Sequence, residues 1–362
     1  MPSLDPQEIV SLGEGVFQIL SAGKKVRDWV GGNTDLWIVP EGLTQTGSFK
    51  DHGGTVAMSV AKAMGIKTIA CASTGDTSAM AAAYAAAAGL KCVVVLPAGK
   101  VTNVQLAQPV AHGARIITIP GSFDDCMRVV RELCEAGRVF PINSINPTRI
   151  EGHQATVFLM AQFLQWQLPD VFVVPVGNGS NSSSIGKAIR LLKQLGLVAD
   201  KECKIIGVQS DSANPLATSW ESVQRLGRVD IEKWRSVYQP RKDLGETAAT
   251  AARIGNPVSW AKVMREICAS DGAVLTVTEA ELLEATRTLG SSGFSGCPQT
   301  GTALAGLRQA IARGFVKPGA TVSLVSTATS LKFPDVAMEF GGDLITSAGS
   351  CDTEDIASIM GI

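Results

Sequence analysis

The chain has 362 residues, of which 45% are hydrophobic and 18% charged; this suffices for one or two packed domains and excludes a disordered chain. The 32 Lys and Arg nearly balance the 33 Asp and Glu, and a formal net charge of -1 argues against a field that attracts nucleic acid or an anionic membrane. Because only 5% of the residues are aromatic, stacking on single-stranded nucleic acid is disfavoured, and we expect a small-molecule partner.

Short apolar runs alternate with longer stretches of helical periodicity along most of the chain, which is typical of an α/β fold with a parallel sheet. Eight of these runs are predicted as strands: Leu36–Val39, Thr68–Ala72, Cys92–Leu96, Arg115–Ile119, Val171–Val176, Ile205–Gln209, Val274–Val277 and Thr321–Val325. Three stretches between them are predicted as helices: Ala79–Gly89, Asp124–Ala136 and Ile150–Gln165. About eight strands in a chain of this length predict two lobes with a cleft between them.

The first segment that could carry chemistry is Thr46–Gly54, which contains Lys50 at the expected entry into a helix. Burial lowers the pKa of a lysine, and a lysine in its free amine form makes Schiff bases. Taken alone, the peptide is more typical of a surface lysine at a helix start.

Ser73–Ser78 follows the predicted strand Thr68–Ala72 directly. Hydroxyl and backbone N–H groups at the start of a helix after a parallel strand form an anion site, which would suit a substrate carboxylate. An ordinary helix cap is the alternative reading of these residues.

Asn143–Gly152 places Arg149 near the start of a helix, with the side chains of Asn143 and Ser144 shortly before it. A guanidinium with amide and hydroxyl donors suits a phosphate dianion. A surface arginine is the alternative.

Gly177–Ser182 follows the most apolar predicted strand and combines two glycines with small polar residues. Such a turn can aim its N–H groups at a phosphate. It lacks the lysine of a Walker loop and the glycine spacing of a dinucleotide fold, and an ordinary strand-to-helix turn is the alternative.

Three further segments complete the chain. Trp220–Gly245 is rich in mixed charge and is interpreted as an excursion from the core, at a subunit contact or over an active-site mouth. Ser326–Ser330 ends the last predicted strand with hydroxyls that could bind a heterocycle or merely form a turn. From about Asp335 onward the alternation of strands and helices is lost, which predicts a C-terminal extension.

Cysteine and histidine usage argues against a bound metal, because the eight Cys include no C-x-x-C pair and the chain has only three His. Several Cys lie in apolar runs, as Cys71 and Cys92 do, and are expected to be reduced. No apolar run approaches the ~18–20 residues needed to span a bilayer, and the first residues lack the features of a signal peptide. We therefore expect a soluble, cytoplasmic protein.

The order of these motifs is more specific than any one of them. The sequence around Lys50, the run Ser73–Ser78, the loop at 177–181 and the Ser/Thr-rich strand end together resemble the fold type II pyridoxal-phosphate enzymes. Within that group the chain is similar to the threonine synthase family, in its plant-like branch. The similarity runs from about Leu4 to Phe333 and extends to further segments: Asn33–Trp37, Leu106–Val110, Asn214–Leu216, Ile254–Ser259 and Cys297–Leu304.

The resemblance implies an α/β fold like that of the tryptophan synthase β subunit. Two open, twisted, mostly parallel sheets are flanked by helices, and the active site lies in the cleft between the lobes. Residues 1–55 and 166–335 would form the larger cofactor-binding domain, residues 56–165 a smaller mobile domain, and residues 336–362 the C-terminal extension. The resemblance also implies a homodimer.

Pyridoxal 5'-phosphate is the cofactor that the resemblance implies. Lys50 matches the lysine that binds it covalently, Asp76 falls beside its 3-oxygen, and Thr327 matches the neutral hydroxyl partner of its pyridine nitrogen. The residues that match the cofactor-phosphate loop are Gly177, Asn178, Gly179, Ser180 and Asn181.

Two further groups match the substrate site. The residues that match the loop around the substrate carboxylate are Ser73, Thr74 and Thr77. Those that match the site for the substrate phosphate are Asn143, Ser144 and Arg149. No metal ligands are implied.

The sequence departs from the family pattern at two points near the expected cofactor. Thr329–Ser330 replaces the usual His-Gly pair, and Gly179–Ser180 stands where plant-like members often have Leu-Gly. The N-terminal extension that serves activation by S-adenosylmethionine in plant enzymes is absent from this sequence, so no such activation is expected.

The activity that the resemblance implies is that of a lyase in threonine biosynthesis, which converts O-phospho-L-homoserine and water to L-threonine and phosphate. The change at Thr329–Ser330 motivates an alternative, replacement or elimination on another phospho-amino acid, such as O-phosphoserine with sulfite in the cysteate synthases. A non-enzymatic paralogue is a third reading, and the presence of Lys50 argues against it.

Overall fold

The structure is a computed structural model that describes residues 4–31, 33–73, 75–99, 103–227, 229–341, 344–345, 348–349 and 351–360. Within these residues the chain forms ten β-strands in two sheets, together with fifteen α-helices. The predicted α/β class is confirmed. Each of the eight predicted strands coincides with or lies inside an observed one, except that Val176 falls just beyond its strand.

The larger sheet has the strand order β1-β2-β10-β7-β8-β9, and only β1 runs antiparallel to its neighbour. Its strands are β1 Leu20–Ser21, β2 Asp35–Pro40, β7 Val171–Pro175, β8 Lys204–Ser210, β9 Ala273–Val277 and β10 Thr321–Ser326. The long strands are nearly continuous apolar runs, as expected of a parallel sheet whose two faces are covered by helices.

The helices associated with this sheet come from both ends of the chain. They are α1 Lys24–Val30, α7 Ala155–Phe163, α8 Ser180–Gln194, α9 Pro215–Gln224, α10 Ile231–Val237, α11 Trp260–Ala269, α12 Glu279–Gly290 and α13 Pro298–Ala312. Two short helices follow the last strand, α14 Pro334–Glu339 and α15 Thr353–Met360.

The smaller sheet is entirely parallel and has the order β5-β4-β3-β6. Its strands are β3 Thr68–Ala72, β4 Lys91–Pro97, β5 Arg115–Ile119 and β6 Phe140–Pro141. The helices around it are α2 Lys50–Ala63, α3 Asp76–Ala88, α4 Asn103–Ala111, α5 Phe123–Glu135 and α6 Pro147–His153.

Each sheet has its own hydrophobic core. The larger core joins residues from Ile19 to Val39 with residues from Val157 to Val325, whereas the smaller sheet packs against α2, α3 and α5. Val10 contributes to the smaller core and Val157 to the larger one, so both lie across the boundaries expected from the sequence. The domain boundaries and the mobility of the smaller unit stay predictions.

Two expectations about individual segments are wrong. The helix expected over Ile150–Gln165 is divided into α6 and α7 at Gln154, and it ends before Gln165, which has a positive φ of 55°. Trp220 and Trp234, expected in an excursion from the core, are buried in the larger core, because α9 and α10 turn their apolar sides inward and their charged sides outward.

Helices α2 and α6 pack closely because glycines lie at their contact. A Cβ on Gly152 would lie 1.7 Å from the carbonyl oxygen of His52, and one on Gly53 would lie 2.5 Å from Cε1 of His153. Any larger residue would force the two helices apart. The close packing brings the first turn of α2 next to the first turn of α6.

No helix in the described ranges is both long enough and apolar enough to cross a membrane.

Candidate active site

Three neighbouring strands of the larger sheet, β2, β10 and β7, end at the same edge because they run parallel. The chain that leaves them carries Lys50, Thr327 and the loop 177–181 respectively. The N–H of Phe49 donates to the carbonyl oxygen of Thr327 at 2.9 Å, which fixes Lys50 beside the end of β10. The structure thus brings these sequence-predicted residues to one place.

Lys50 is the first residue of α2, and its Nζ lies 3.5 Å from the centroid of the Phe49 ring. Burial lowers the pKa of its ammonium to about 7. Asp76 opposes this shift, whereas the positive charge of Arg149 adds to it. Lys50 is therefore available as a free amine near neutral pH.

The turn before Lys50 is held by buried hydrogen bonds. The hydroxyl of Thr44 donates to the carbonyl oxygen of Ser48 at 2.8 Å, and the N–H of Thr46 donates to the carboxylate of Asp51 at 2.7 Å. The N–H of Thr46 is enclosed, so losing its bond to Asp51 would leave a buried donor unpaired. The hydroxyl of Thr44 also donates to the carbonyl oxygen of Glu41 and accepts the N–H of Ser48. The turn therefore presents Lys50 from a rigid support.

The loop after β7 reaches the first turn of α8 through Gly179, which adopts a positive φ of 81°. A Cβ at Gly179 would lie 2.5 Å from Cγ2 of Val263, so a larger residue is excluded by space as well as by conformation. Asn178 anchors the loop, because its carbonyl oxygen accepts the N–H of Ser259 at 3.0 Å. The first N–H groups of a helix have no partner within it and bind phosphate readily.

Asn181 lies in that first turn, and it is buried. Neither its amide nitrogen nor its amide oxygen has a partner at hydrogen-bond distance among the described residues, although the amide lies close enough to the buried carboxyl group of Glu41 to lower the pKa of that group. A buried amide without partners is costly, and a ligand on the loop would supply them. Ser180 is buried beside it.

Thr327 follows β10 and is buried. Its hydroxyl lies 3.6 Å from Sγ of Cys297, which in turn lies 3.3 Å from the hydroxyl of Thr300. Burial raises the pKa of the Cys297 thiol, so it stays neutral. Thr327 is thus backed by uncharged groups, as expected of a neutral partner for a heterocycle.

The carboxylate site is predicted in the run after β3. Ser73 is half-buried at the strand end, and its hydroxyl accepts the N–H of Gly75 at 3.3 Å. Thr77 is half-buried in the first turn of α3. Thr74, also predicted here, lies outside the described residues.

Asn143 and Ser144 follow β6, the neighbour of β3, so they lie at the same edge as Ser73. The amide of Asn143 already has partners, because it pairs with the backbone N–H and C=O of Ala72. Ser144 is half-buried. Asn143 therefore links the two predicted substrate segments, and phosphate binding by Asn143 and Ser144 stays a prediction.

Arg149 is only 1% exposed, although it carries a full positive charge. One Nη1–H donates to the carbonyl oxygen of Ile142 at 3.1 Å, whereas Nε and Nη2 have no partner among the described residues. Burial lowers the pKa of the guanidinium to about 10, so it stays charged at neutral pH. A buried cation with two unused donors is suited to an anionic ligand.

The sequence comparisons agree with this geometry. The family model of pyridoxal-phosphate dependent enzymes matches residues 21–328. The threonine synthase of Methanocaldococcus jannaschii is 36% identical over 339 residues, which are 93% of this chain and 80% of that protein. The threonine synthase of Mycobacterium tuberculosis is 40% identical over 301 residues, 83% of this chain and 78% of that protein. The chain belongs to the threonine synthase family of pyridoxal-phosphate-dependent enzymes.

Solved structures support the same fold. Threonine deaminase isoform 2 from Solanum lycopersicum superimposes with a TM-score of 0.73 at 18% identity, covering 92% of this chain and 90% of that chain. Maize serine racemase gives 0.70 at 16% identity, covering 90% and 92%. At these identities the likeness shows the fold, and fold type II is confirmed.

Pyridoxal phosphate is the cofactor of this family, and the residues of the site fit it. The strongest observation is the buried, unpartnered amide of Asn181 on a helix start that only glycine at 179 allows. Lys50, whose pKa is lowered, lies at the same edge of the larger sheet. The individual cofactor and substrate contacts stay predictions.

Sequence reasoning missed two members of the site. Glu41, just after β2, is fully buried, accepts a hydrogen bond from the hydroxyl of Thr156, and interacts with Lys50. Lys332 forms an ion pair with Asp76 at 2.8 Å. In the run from Thr327 to Lys332 the sequence indicated a role for Thr327 and a departure from the family pattern at Thr329–Ser330, but no local pattern marks Lys332 itself.

Proposed function

We propose that the chain is a threonine synthase, which converts O-phospho-L-homoserine and water to L-threonine and phosphate. The observation that carries this proposal is Arg149, a buried guanidinium with two unused donors. A substrate that brings its own phosphate would satisfy both donors in one bidentate contact. The names of the most similar curated relatives support the same activity.

The two ends of the substrate would be bound by different segments. Ser73, Thr74 and Thr77 would bind the carboxylate at the start of α3, and Arg149 with Ser144 would bind the phosphate. Because α6 packs on α2 through Gly152, the phosphate end is held against the helix that begins at Lys50. The reacting carbons would then lie between these two bound ends, so the binding energy of the ends would orient them for the reaction.

Lys50 would bind pyridoxal phosphate covalently, and the loop 177–181 would bind the phosphate group of the cofactor. Asp76 would lie beside the 3-oxygen of the cofactor, and Thr327 would lie beside its ring nitrogen. When bound, the cofactor withdraws electrons from the substrate carbons. Lys50 as a free amine would take and return protons at Cα, Cβ and Cγ; phosphate departs from Cγ and water adds at Cβ. A pKa near 7 suits both directions of proton transfer.

A product assay with O-phospho-L-homoserine and added pyridoxal phosphate tests the proposal. We expect threonine and phosphate in equal amounts, and neither from the Lys50→Ala variant. Phosphate with 2-oxobutanoate would show that elimination occurs without water addition and would contradict the proposal. Turnover of O-phosphoserine with sulfite, but not of O-phospho-L-homoserine, would establish the alternative activity.

We further propose that residues 56–165 form a mobile smaller domain and that the enzyme acts as a homodimer in the cytoplasm. The separate core of the smaller sheet supports the first point, and the reduced, buried thiols of Cys71 and Cys92 support the last. Light scattering on the purified protein tests the dimer, and a monomer at micromolar concentration would contradict it.

A further inference from the structure

An ion pair at the active site joins a segment that follows the larger sheet to a segment that follows the smaller sheet. Nζ of Lys332 lies 2.8 Å from Oδ1 of Asp76, and the side chains are 15% and 10% exposed. Lys332 ends the short helical turn that follows β10 in the larger sheet, whereas Asp76 begins α3 after β3 in the smaller one. An enclosed pair of this kind is screened less by salt than a surface pair.

The turn that carries Lys332 is held in place by backbone contacts. The hydroxyl of Thr329 accepts the N–H of Leu331 at 3.3 Å and so caps the turn. The N–H of Thr329 donates to the carbonyl oxygen of Gly47, three residues before Lys50, at 3.1 Å, and the N–H of Ser330 donates to Ser295 at 3.1 Å. The residue pair that departs from the family pattern therefore forms the base from which Lys332 reaches Asp76.

The pair acts electrostatically on other buried groups of the site. The Asp76 carboxylate raises the pKa of both Lys50 and Cys297, so it lies near the covalent attachment point and near the thiol that backs Thr327. Lys332 acts on Lys50 and on the buried carboxylate of Asp51. The 3-oxygen of pyridoxal phosphate carries negative charge, and an unbalanced carboxylate beside it would repel it.

We propose that Lys332 is a positioning residue of the cofactor site: it neutralises Asp76 across the cleft, so that an aspartate can lie beside the cofactor's 3-oxygen. The inference rests on the proposed place of Asp76 and needs no particular substrate. It assigns to Thr329 the task of presenting Lys332.

Cofactor binding and absorption test the inference in four variants: Lys332→Met, Asp76→Asn, their combination, and Lys332→Arg. Lys332→Met leaves Asp76 unbalanced, so we expect at least tenfold weaker binding of pyridoxal phosphate to the apoprotein. The remaining negative charge favours the protonated form of the bound cofactor, so the pH midpoint of its visible band should rise by about one unit.

The double variant distinguishes a positioning role of Lys332 from general damage to the structure of the site. If Lys332 acts through Asp76, adding Asp76→Asn to Lys332→Met should restore the midpoint to within a few tenths of a unit, and Lys332→Arg should keep it. Additive losses in the double variant, or an unchanged midpoint in a Lys332→Met protein that melts normally, would overturn the inference. Should Lys332→Met not fold, the comparison of Asp76→Asn with the double variant decides instead. Asp76→Asn leaves the Lys332 cation unbalanced and should lower the midpoint, whereas the double variant should return it to that of the parent. A double variant that keeps the lowered midpoint would overturn the inference.

These readouts need no substrate, so they are independent of the proposed reaction. A protein that makes no threonine but shows the restored midpoint would keep the inference and reject the function. The reverse result would keep the function and reject the inference.

Discussion

The side chain of Asn143 forms two hydrogen bonds with the backbone of Ala72: its Nδ2 donates to the carbonyl oxygen at 2.7 Å, and its Oδ1 accepts the N–H at 3.1 Å. Ala72 is the last residue of β3, immediately before the predicted carboxylate loop at Ser73. Asn143 therefore continues the β3–β6 pairing with a side chain and fixes where that loop begins.

Replacing Asn143 with Ala would leave both backbone groups of Ala72 buried without partners. We expect the free energy of unfolding to fall by about 2–6 kcal/mol, since each of the two orphaned groups costs ~1–3 kcal/mol. We also expect KM for the phosphorylated substrate to rise, while the affinity for pyridoxal phosphate changes less than threefold. Urea denaturation and steady-state kinetics measure these effects.

Ser144→Ala is the matched control, because it removes a half-buried hydroxyl next to Asn143 without touching Ala72. It should keep the stability of the parent protein. An Asn143→Ala protein of unchanged stability but lost phosphate binding would show instead that Asn143 turns towards the substrate.

The sequence was sufficient for the parts of the site that depend on local order. A strand followed at once by glycines and small polar residues indicates a site at the sheet edge, as at the loop 177–181, whereas the roles of Lys50 and Thr327 are implied by the resemblance to the family, which rests on the order of the motifs. The pairs Asn143–Ala72 and Lys332–Asp76 are separated by 71 and 256 positions, and only the register of the strands brings them together. Similarly, the mixed charge around Trp234 belongs to the exposed side of α10, and it gave no indication that the opposite side is buried in the core.

Arg149→Met is expected to abolish use of the phosphorylated substrate while leaving the cofactor bound. The guanidinium offers two buried donors, and hydrogen bonds to charged groups contribute ~1.5–3 kcal/mol each, so kcat/KM should fall by at least about 100-fold. Arg149→Lys keeps the positive charge but loses the planar guanidinium that can donate two parallel hydrogen bonds, so it should retain only part of the activity. Kinetics together with the visible absorbance of the bound cofactor measure both.

A contrary result would be an Arg149→Met protein whose KM for O-phospho-L-homoserine is unchanged. It would place the substrate phosphate elsewhere and leave Arg149 as a structural cation.

The lowered pKa of Lys50 predicts how the apoprotein reacts with pyridoxal phosphate. With a pKa of about 7, roughly half of the Lys50 side chains are neutral at pH 7, against below about 0.1% for an ordinary lysine. The attachment rate should therefore rise up to about pH 7 and then level off. Borohydride reduction followed by mass spectrometry measures the rate at Lys50.

The Asp76→Asn variant is informative here, because the Asp76 carboxylate raises the pKa of Lys50. Its attachment midpoint should move below that of the parent protein. A rate that continues to rise tenfold per pH unit beyond pH 9 would show that Lys50 titrates as a solvated lysine.

The raised pKa of Glu41 predicts that the stability of the fold depends on pH even without the cofactor. Burial raises the pKa of its carboxyl group from 4.5 to about 8, so the folded chain keeps a proton that the unfolded chain releases between these values. Stability from this group is therefore fully present below about pH 4.5 and falls as the pH rises towards 8, by at most about 1.4 kcal/mol per unit. Glu41→Gln cannot ionise and should remove this dependence.

The range from pH 7 to 8 isolates Glu41 from its neighbour His52, whose Nε2 lies 3.7 Å from Oε1 of Glu41. Burial lowers the pKa of His52 to about 4, so that group adds stability only as the pH rises to about 6.5 and is constant above it. Lys50, whose pKa is lowered to about 7, stabilises the folded chain increasingly as the pH rises from 7 to 8, and it does so in both proteins. Urea unfolding of the apoprotein at pH 7.0, 7.5 and 8.0 should therefore show rising stability in Glu41→Gln, and a slope in the parent that is lower by up to about 1.4 kcal/mol per pH unit. The glutamine oxygen can still accept the hydrogen bond from Thr156, whereas Glu41→Leu cannot and should be less stable at every pH. Equal slopes in the parent and in Glu41→Gln would mean that Glu41 is ionised in the folded protein, paired with the ammonium of Lys50.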